Sequence, residues 1–437
     1  MKDSGVDWIG KIPEDWKTIK LKFACDVNPP KSELNNISNK SRVSFLPMER
    51  IGGNGHLDLK EKRDLSEVKN SFTYFRDNDV IVAKITPCFE NGKGALCKNL
   101  ENGIGFGTTE LHVLRPYQKF NSFLIFYWTR SHPFMISGES LMHGAAGQKR
   151  VPTDFIKNFR ISYSNSIKEQ EKIGEFLKIQ IEKLDNKIQN CQKLISLLKE
   201  KSQSLLNEAV TKGLDTTVSM KESKIELIGK IPAHWGKSQF HRILKKPISY
   251  GVVVPDDDPT GVPMIRSGAL ESSHGIEKNL IYISRELEEK YKRTRIEGGE
   301  IIIALVGATI GQCTVLSKKY RGYNVSRAVG VITPKKEHNP FFLKFLLKSN
   351  IFKNLLNMQS IGAAQPVINL ESISNFIIPL PPKEEQNEIV EFLDKNIPKI
   401  NSLISKLNSQ IKKFQEFQQC IISSAVSGKI DVRDFVE

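Results

Sequence analysis

Three short segments carry residue types that could perform chemistry, and each departs from the pattern it resembles. Asn28-Pro29-Pro30-Lys31 is similar to the Asn-Pro-Pro-aromatic pattern of enzymes that act on a flipped base. Lys31, however, replaces the aromatic ring that would stack on that base. The stretch 103–107 is rich in glycine but lacks the strand-then-helix context of a cofactor loop. Gly236-Lys237-Ser238 lacks the first glycine of a phosphate-binding loop, because Ile231 stands at that place. We interpret the first two segments as turns and expect no phosphate cradle at the third.

Metal-binding and nucleophile patterns are missing as well. The eight histidines form no HExxH or other metal-ligand spacing, and no nucleophile-elbow pattern occurs. The six cysteines are scattered without paired short spacing, which argues against a zinc module or a disulfide framework and favours reduced thiols. We therefore expect that this chain is not an enzyme by itself and holds no cofactor or metal.

The charge balance points to a polyanionic partner. Among 437 residues, 64 Lys and Arg stand against 49 Asp and Glu, which gives +15 at pH 7. Such a surplus attracts nucleic acid, although by itself it is also compatible with ordinary surface charge. The 39% hydrophobic content is typical of a folded protein. No run of about 18 apolar residues and no apolar leader after Met1 occur, so we expect a cytoplasmic protein without a membrane span.

The elements that position these residues come in two copies, because the sequence repeats itself with a period of about 217 residues. The repeated islands return in the same order at nearly constant offset, which chance similarity does not explain. A period this long, against roughly 20–50 residues for a solenoid unit, indicates duplication of a whole domain with its appendage. The islands are Ile9-Gly10-Lys11-Ile12-Pro13 with Trp16 and Ile228-Gly229-Lys230-Ile231-Pro232 with Trp235, Gly144-Ala145-Ala146 and Gly362-Ala363-Ala364, Asn158-Phe159 and Asn375-Phe376, Glu175-Phe176-Leu177 and Glu391-Phe392-Leu393, and Ala209-Val210 and Ala425-Val426.

The first part of each copy predicts a mixed α+β globule. Segments 79–84 and 300–304 are typical of buried strands that follow a turn. Segments 111–116 and 329–334 are typical of strands that end at a proline. Short apolar helices are expected after them, at 120–128 and 340–356.

The second part of each copy predicts a coiled-coil helix. Apolar residues step by four and three, with a polar interruption at the same step in both copies, Ser202 and Gln418. Such a stripe needs a partner helix, and the other copy is the obvious partner; packing of each stripe on its own globule is the alternative. Pro398 is compatible with the second helix if the straight helix begins there. The predicted seam comprises Leu177, Ile181, Leu184, Ile188, Ile195 and Leu198, and Leu393, Ile400, Ile404, Leu407, Ile411 and Phe414.

These patterns divide the chain into two similar globular domains, 1–165 and 216–381, each followed by a spacer helix, 166–215 and 382–437. The fold class is α+β, with two mixed α/β domains, an internal pseudo-twofold repeat and a long antiparallel two-helix coiled coil. The charge surplus lies in the globules, with 24 basic against 18 acidic residues in the first and 23 against 14 in the second. Two basic globules on a nearly neutral spacer could read two separated sites on nucleic acid.

The ordered set of islands resembles the DNA-specificity subunit of type I restriction–modification systems, and the likeness covers nearly the whole chain. The matching pieces are the Ile-Gly-x-Ile-Pro-x-x-Trp openings and the Gly-Ala-Ala segments. Segment 379–386 is similar to the start of that family's spacer helix, and 209–211 and 425–430 are similar to its helix ends. The first copy departs at 163–170, where the Pro-Pro pair is absent.

The resemblance implies that each globular domain is a target-recognition domain that reads one half of a bipartite, asymmetric sequence in double-stranded DNA. It also implies that the paired spacer helices set the distance between the half-sites. Two modification subunits, which methylate adenine at N6, and translocase–endonuclease restriction subunits are the implied partners. S-adenosylmethionine and ATP are therefore expected only on those partner subunits, and this chain is expected to be their non-catalytic scaffold.

Candidate DNA contacts follow from the side chains that can read base edges from loops at strand ends. For each candidate, the alternative is a solvated surface loop. Gln148, Lys149 and Arg150 follow the Gly-Ala-Ala turn and should project from a mobile loop, and Gln365 occupies the equivalent place in the second copy. The other candidates are Arg50 and Arg266, which follow strand-like segments, and Thr108, Thr109, Ser326 and Arg327, which lie in matched loops.

Two other functions stay open. One is a coiled-coil scaffold that binds proteins only, which a native gel with mixed duplexes would separate from a DNA reader. The other is a self-sufficient DNA methyltransferase or nuclease, against which the absent cofactor loop and the Lys31 substitution argue. Methyl transfer to DNA by the pure chain would support that second alternative.

Overall fold

The computed structural model of the chain describes residues 1–144, 147–225, 227–270, 276–307, 309–359 and 368–432. The chain forms two compact units. Unit 1 contains Met1–Gln192 and Asn408–Glu437, and unit 2 contains Lys193–Leu407. Unit 2 is therefore continuous in sequence, whereas unit 1 combines the two ends of the chain.

Unit 1 begins with short strands and helices. Its strands are β1 (Lys2–Asp3), β2 (Lys11–Ile12), β3 (Lys17–Lys20), β4 (Cys25–Val27), β5 (Arg42–Leu46), β6 (Lys62–Asp64), β7 (Thr73–Arg76), β8 (Val80–Ala83), β9 (Gly94–Leu96), β10 (Ile104–Gly107), β11 (Leu111–Pro116) and β12 (Arg160–Tyr163). Its helices are α1 (Leu65–Val68), α2 (Ser122–Thr129), α3 (His132–Ser140) and α4 (Thr153–Asn158), followed by the first long helix, α5 (Ile167–Lys212).

Two four-stranded sheets form the globule of unit 1, in the orders β6-β5-β10-β7 and β4-β11-β8-β9. β5 and β10 are parallel, so their carboxyl ends lie at the same sheet edge. The β8 residues Val80, Ile81, Val82 and Ala83 are all buried, since both faces of this strand are covered. A ribbon of β3 and β12 joins the globule to the start of α5.

Unit 2 has the corresponding elements. Its strands are β13 (Met220–Glu222), β14 (Lys230–Pro232), β15 (Gly236–Gln239), β16 (Ser249–Tyr250), β17 (Val262–Ile265), β18 (Leu280–Ile283), β19 (Ile301–Ala304), β20 (Cys313–Val315), β21 (Asn324–Val325), β22 (Val329–Ile332) and β23 (Ile377–Leu380). Its helices are α6 (Arg285–Lys290), α7 (Pro340–Lys348), α8 (Asn350–Gln359), α9 (Leu370–Asn375) and the second long helix, α10 (Lys383–Val426).

The sheets of unit 2 repeat those of unit 1. The order β16-β22-β19-β20 matches β4-β11-β8-β9, and β18-β17-β21 matches β6-β5-β10. β17 and β21 are parallel, as β5 and β10 are. The ribbon of β15 and β23 repeats that of β3 and β12. The predicted mixed α/β fold with an internal repeat is confirmed.

The single helix predicted over 340–356 is wrong, because the chain is extended at Ser349 (φ −65°, ψ 153°) between α7 and α8. The Ser349 hydroxyl accepts a hydrogen bond from the Phe352 amide at 3.3 Å, so this serine starts a new helix instead of continuing the old one. Unit 1 has the same break, with Ser131 extended between α2 and α3. No pattern in the sequence had predicted α3.

The long helices pair antiparallel within each unit. In unit 1, Gln418 of α10 donates to the Asp185 carboxylate of α5 at 2.7 Å, and the Lys187 ammonium lies 5.8 Å from the centre of the Phe414 ring. As residue numbers rise along α5, the residue numbers that they contact fall along α10, so the two helices run antiparallel. In unit 2, the end of α5 and the start of α10 share one buried cluster, which contains Leu206, Ala209, Ile389 and Leu393. The polar step at Gln418 is therefore an interhelical hydrogen bond, of the kind that specifies register.

All predicted seam positions are buried or half-buried. Leu177, Leu184, Ile195, Leu393 and Ile400 are buried. The remaining positions are half-buried: Ile181, Ile188, Leu198, Ile404, Leu407, Ile411 and Phe414.

The straight helix does not begin at Pro398. α10 begins at Lys383, and Pro398 lies inside it. Proline has no amide hydrogen, so the Asp394 carbonyl loses its helical donor. Asp394 and Pro398 are both exposed, which lets water hydrogen-bond to that carbonyl.

In unit 1, Trp16 holds the start of one long helix against the end of the other. The buried indole donates from Nε1 to the Glu169 carboxylate, in the first turn of α5, at 3.4 Å. The same ring packs against Gly428, just after α10, where a Cβ would lie 3.0 Å from Trp16 Cζ3 and 2.6 Å from Pro13 Cδ. We call this arrangement, and its counterpart in unit 2, the tryptophan clamp.

The clamp of unit 2 is built by Trp235. Its Nε1 donates to Glu385, in the first turn of α10, at 2.9 Å. A Cβ at Gly213, just after α5, would lie 3.2 Å from Trp235 Cζ2. Both long helices therefore start in the same way, although the first lacks the Pro-Pro pair.

A buried glutamine follows each clamp glutamate and fastens the globule to its long helix. The side-chain oxygen of Gln170 accepts from the Asn121 amide at 2.8 Å, just before α2. The Gln386 oxygen accepts from the Asn339 amide at 2.8 Å, just before α7. Both side-chain amides also donate to the carbonyl that precedes the helix, with Gln170 bonded to Ser164 and Gln386 bonded to Pro381.

Gly428→Ala should destabilise unit 1 by about 1–3 kcal/mol more than Gly5→Ala does. Both glycines have positive φ, 72° and 67°, but only a methyl group at Gly428 collides with Pro13 and Trp16, whereas Gly5 has nothing within 4 Å. Urea unfolding followed by tryptophan fluorescence measures the difference. Equal losses for the two variants would show that the close approach at Gly428 does not matter.

Candidate nucleic-acid interface

The candidate contacts gather where the parallel strands end. We call the carboxyl ends of β5 and β10, with residues 147–150, the carboxyl edge of unit 1. The carboxyl ends of β17 and β21, with residues 250–254, form the carboxyl edge of unit 2. Both edges have the same backbone hydrogen bonds. The Lys84 backbone amide donates to the Glu110 carbonyl at 3.0 Å, and the Leu305 backbone amide donates to the Ala328 carbonyl at 2.9 Å.

Arg150 is held by an ion pair at the carboxyl edge of unit 1. Its guanidinium donates to Glu110 from Nε at 2.9 Å and from Nη2 at 2.7 Å. This hydrogen bonding holds the pKa of Glu110 below its usual value, although partial burial opposes the shift. Arg150 is thus a fixed cation whose remaining donors face solvent, since nearly half of its side chain is exposed.

Hydrogen bonds join the backbone of residues 147–150 to neighbouring segments. The Lys149 amide donates to Thr86 Oγ1 at 3.0 Å, and Thr86 Oγ1 donates to the Gly147 carbonyl at 2.6 Å. Arg150 and His143 exchange two backbone hydrogen bonds. The side chains of Gln148 and Lys149 are exposed above this fixed backbone.

The other candidates of unit 1 differ in how free their side chains are. Arg50 is already paired with Asp58 at 2.8 Å and with Glu61 at 3.1 Å, so its guanidinium stabilises the loop after β5. Thr108 Oγ1 accepts from the Glu110 amide at 3.2 Å and shapes the turn after β10. Thr109 is exposed beside it.

The buried His112 hydrogen-bonds to Val151, the residue that follows this edge. The buried ring lies 3.0 Å from the Val151 carbonyl through Nε2 and 3.4 Å from the Asn28 side-chain nitrogen through Nδ1. Because a carbonyl only accepts, Nε2 carries the proton and Nδ1 accepts from the Asn28 amide. Burial lowers the pKa of His112, and the bond to Val151 opposes that shift only in part.

At the carboxyl edge of unit 2, the structure brings Arg266, Ser326 and Arg327 together. Arg266 follows β17 and is exposed, and the Ile265 carbonyl before it accepts from the Ser326 amide at 3.0 Å. Arg327 is exposed, and its amide donates to the Val252 carbonyl at 2.7 Å. Gln365 lies outside the described residues.

An apolar surface beside Arg327 was not predicted from the sequence. Tyr250, Val253 and Val254 are 44%, 38% and 72% exposed. With Leu305 and Ile368, Tyr250 and Val253 line an open groove of about 470 Å³ that also includes Arg327. The signal was the apolar run Tyr250-Gly251-Val252-Val253-Val254, which carries no charge in a basic domain.

The three weak motifs have structural roles. The Asn28 side chain accepts from the Val113 amide at 2.9 Å, and the Lys31 ammonium donates to the Lys69 and Phe72 carbonyls, each at 2.7 Å. Stretch 103–107 lies mostly within β10, and Gly236-Lys237-Ser238 lies within β15.

In the ranges given above, no three His, Cys, Asp or Glu side chains are grouped so that they could hold a metal ion. Within the same described part of the chain, no helix is both long and apolar enough to cross a membrane.

The family model for the type I restriction modification DNA specificity domain matches residues 13–200 and 244–413. The Escherichia coli EcoEI type I restriction enzyme specificity subunit is 40% identical over 172 residues, which are 39% of this chain and 28% of that subunit. The matched segment thus spans less than a third of that relative. The putative MjaX specificity subunit of Methanocaldococcus jannaschii is 24% identical over 97% of this chain and 96% of its own length.

Solved structures share the fold. A chain from the work "Structural basis underlying complex assembly and conformational transition of the type I R-M system" has a TM-score of 0.75 at 16% identity, over 96% of this chain and 100% of that one. The HsdS subunit of Thermoanaerobacter tengcongensis has a TM-score of 0.56 at 18% identity, over 98% of this chain and 100% of that one.

Acidification should destabilise unit 1 through His112. The folded pKa lies below the unfolded value of about 6.5, so the unfolded chain binds more protons and stability falls as the pH drops below that value. In His112→Gln, the free energy of unfolding should fall less between pH 7.5 and 5.5 than in the wild type. Urea unfolding at several pH values measures this slope, and the exposed His56→Gln control should keep the wild-type slope. Equal slopes for His112→Gln and the wild type would contradict this role.

Proposed function

This chain belongs to the type I restriction–modification DNA specificity family, and we propose that it is the sequence-reading subunit of such a system. Each unit reads one half of a bipartite, asymmetric sequence in double-stranded DNA. The observation that carries this proposal is the repeated carboxyl edge, which offers exposed hydrogen-bonding side chains on the same backbone frame in both units. The side chains on the two frames differ, as reading two different half-sites requires.

The side chains suit the major groove. In unit 1, the Gln148 amide can donate to and accept from an adenine edge, and Lys149 can bind a phosphate. In unit 2, Arg266 and Arg327 are the residue type that binds guanine O6 and N7 in pairs of hydrogen bonds. Anchored backbones support this function, because a fixed loop loses less entropy on binding.

The catalytic work falls to partner subunits in this proposal. Two modification subunits and the restriction subunits assemble on this chain, and S-adenosylmethionine and ATP bind to them. Relatives named specificity subunits support a reading role for the chain. The proposed compartment is the cytoplasm, where the DNA and these partners meet.

The long helices set the preferred distance between half-sites in the same proposal. α5 and α10 have 46 and 44 residues, and at about 1.5 Å per residue each is roughly 65–70 Å long. Their polar step at Gln418 and Asp185 selects one register, and a selected register is what a fixed distance requires.

Lys149→Ala should weaken binding to all duplexes alike and reduce the log–log salt slope by about 1, because it removes one phosphate contact. Arg327→Ala should instead relax sequence preference in one half-site, at a cost of about 1–3 kcal/mol for the cognate duplex. Fluorescence anisotropy with cognate and scrambled duplexes, in the presence of modification subunits, measures both effects.

Two controls match these charge changes at the opposite ends of the strands. Lys40 is exposed just before β5, and the exposed Arg321 lies just before β21. Lys40→Ala and Arg321→Ala should leave affinity and preference close to those of the wild type. Identical affinity of the wild type for all duplexes would contradict the proposed function.

Removing one heptad from each long helix should shorten the preferred spacer between half-sites by about three base pairs. Residues 188–194 and 408–414 can be deleted together, because the Asp185–Gln418 and Lys187–Phe414 contacts place these segments opposite each other. Seven residues remove about 10 Å, which is about three base-pair steps. Methylome sequencing of cells with the modification subunits measures the spacer, and an unchanged spacer would show that the helices do not set it.

A further inference from the structure

We propose that unit 2 recognises the 5-methyl group of a thymine in the major groove, through an apolar surface formed by Tyr250, Val253 and Leu305 beside Arg327. We call this surface the methyl-reading surface. The inference rests on the proposed function, because it specifies the chemistry that one of the two units reads. Its residues are those of the open groove at the carboxyl edge of unit 2.

The backbone under this surface is fixed. Between the exposed Tyr250 and Val253, the buried Val252 donates to the Val325 carbonyl at 2.8 Å and accepts from the Arg327 amide at 2.7 Å. A Cβ at Gly251 would lie only 1.7 Å from the Val325 carbonyl oxygen, so the segment lies against β21 as closely as glycine allows. The two exposed side chains are therefore presented without a loop that must order on binding.

Unit 1 has charged groups at the corresponding positions. Matching backbone hydrogen bonds place Lys84 at the position of Leu305, and Glu110 at the position of Ala328. In unit 1, the Glu110 carboxylate forms an ion pair with Arg150. In unit 2, the corresponding space is the open groove with Leu305 and Ile368 in its wall. Duplicated frames thus carry an ionic surface in one unit and an apolar surface in the other.

A thymine methyl fits this surface better than other occupants do. It is the only apolar group that base pairs present in the major groove, and cytosine and uracil lack it. Exposed apolar side chains in an open groove are unfavourable in water, so a contact that covers them is favourable. The exposed Arg327 and Arg266 next to them favour a polyanion over a purely apolar ligand or a basic protein.

Replacing thymine by uracil tests the inference, because uracil keeps the hydrogen-bonding edge and loses only the methyl group. Once the target sequence is known from methylome sequencing, each thymine in the unit 2 half-site is replaced singly by uracil. The half-site of unit 2 is the one whose preference Arg327→Ala relaxes. The wild type, with its modification subunits, should lose about fourfold in affinity at one of these positions, as expected for one buried methyl group.

Two variants test whether Val253 and Tyr250 contact the methyl group. Val253→Thr keeps the shape of the side chain and replaces one of its two methyl groups by a hydroxyl, and it should reduce the difference between the thymine and uracil duplexes. Tyr250→Ser should behave in the same way. Tyr282→Ser changes a tyrosine of similar exposure, 38%, on β18 of the other sheet of unit 2, and it should keep the fourfold difference. The ratio of the two affinities does not respond to a general loss of folded protein.

The outcomes separate this inference from the proposed function. If the complex binds all duplexes equally, the proposed function is wrong. If binding is sequence-specific but the unit 2 half-site has no thymine, or none that is sensitive to uracil, the inference alone is overturned. A uracil effect that persists undiminished in both Val253→Thr and Tyr250→Ser also overturns it, because another surface would then contact the methyl group.

Discussion

The tryptophan clamp is the contact on which the architecture depends. In each unit, one buried indole bonds to the first turn of one long helix and packs on the glycine that ends the other, as Trp16 does with Glu169 and Gly428. A long helix with a narrow apolar stripe has little stability alone. The clamp gives it a defined start, a defined end and a fixed direction against its partner. The same ring belongs to the core of the globule, so helix pairing and globule folding stabilise each other.

The frame is duplicated, whereas the chemistry on it is not. Backbone hydrogen bonds at the two carboxyl edges correspond closely, but Glu110 and Arg150 give one edge an ion pair, and Tyr250, Val253 and Leu305 give the other an apolar groove. Backbone contacts define where a loop lies, and side chains define what it recognises. A duplicated reader can therefore acquire a second specificity by exchanging a few exposed residues while its sheets, clamps and helices stay unchanged.

Periodicity predicted much of this fold from the sequence, because a four-three step is a long and redundant signal. It identified both long helices, and repeated islands identified the duplicated domains. Helix boundaries were harder to predict: Ser349 separates α7 from α8 with two side-chain hydrogen bonds, to the Leu346 carbonyl and from the Phe352 amide, and Pro398 is tolerated inside α10 on an exposed face. The Arg150–Glu110 pair joins residues 40 positions apart, so no local pattern revealed it. The Glu-Gln pairs at the helix starts do repeat in the sequence, at 169–170 and 385–386, and comparing the copies could have found them.

The discontinuous composition of unit 1 has a consequence for synthesis on the ribosome. Unit 2 is a continuous segment that can begin to fold when its last residues leave the exit tunnel. Unit 1 must wait longer, because Ile173 and Leu177 share their core cluster with Ile421, Ile422 and Ala425, which are translated after the whole of unit 2. Until then the α5 stripe of unit 1 lacks the α10 residues that cover it, so we expect it to stay open to non-native association for longer than the stripe of unit 2.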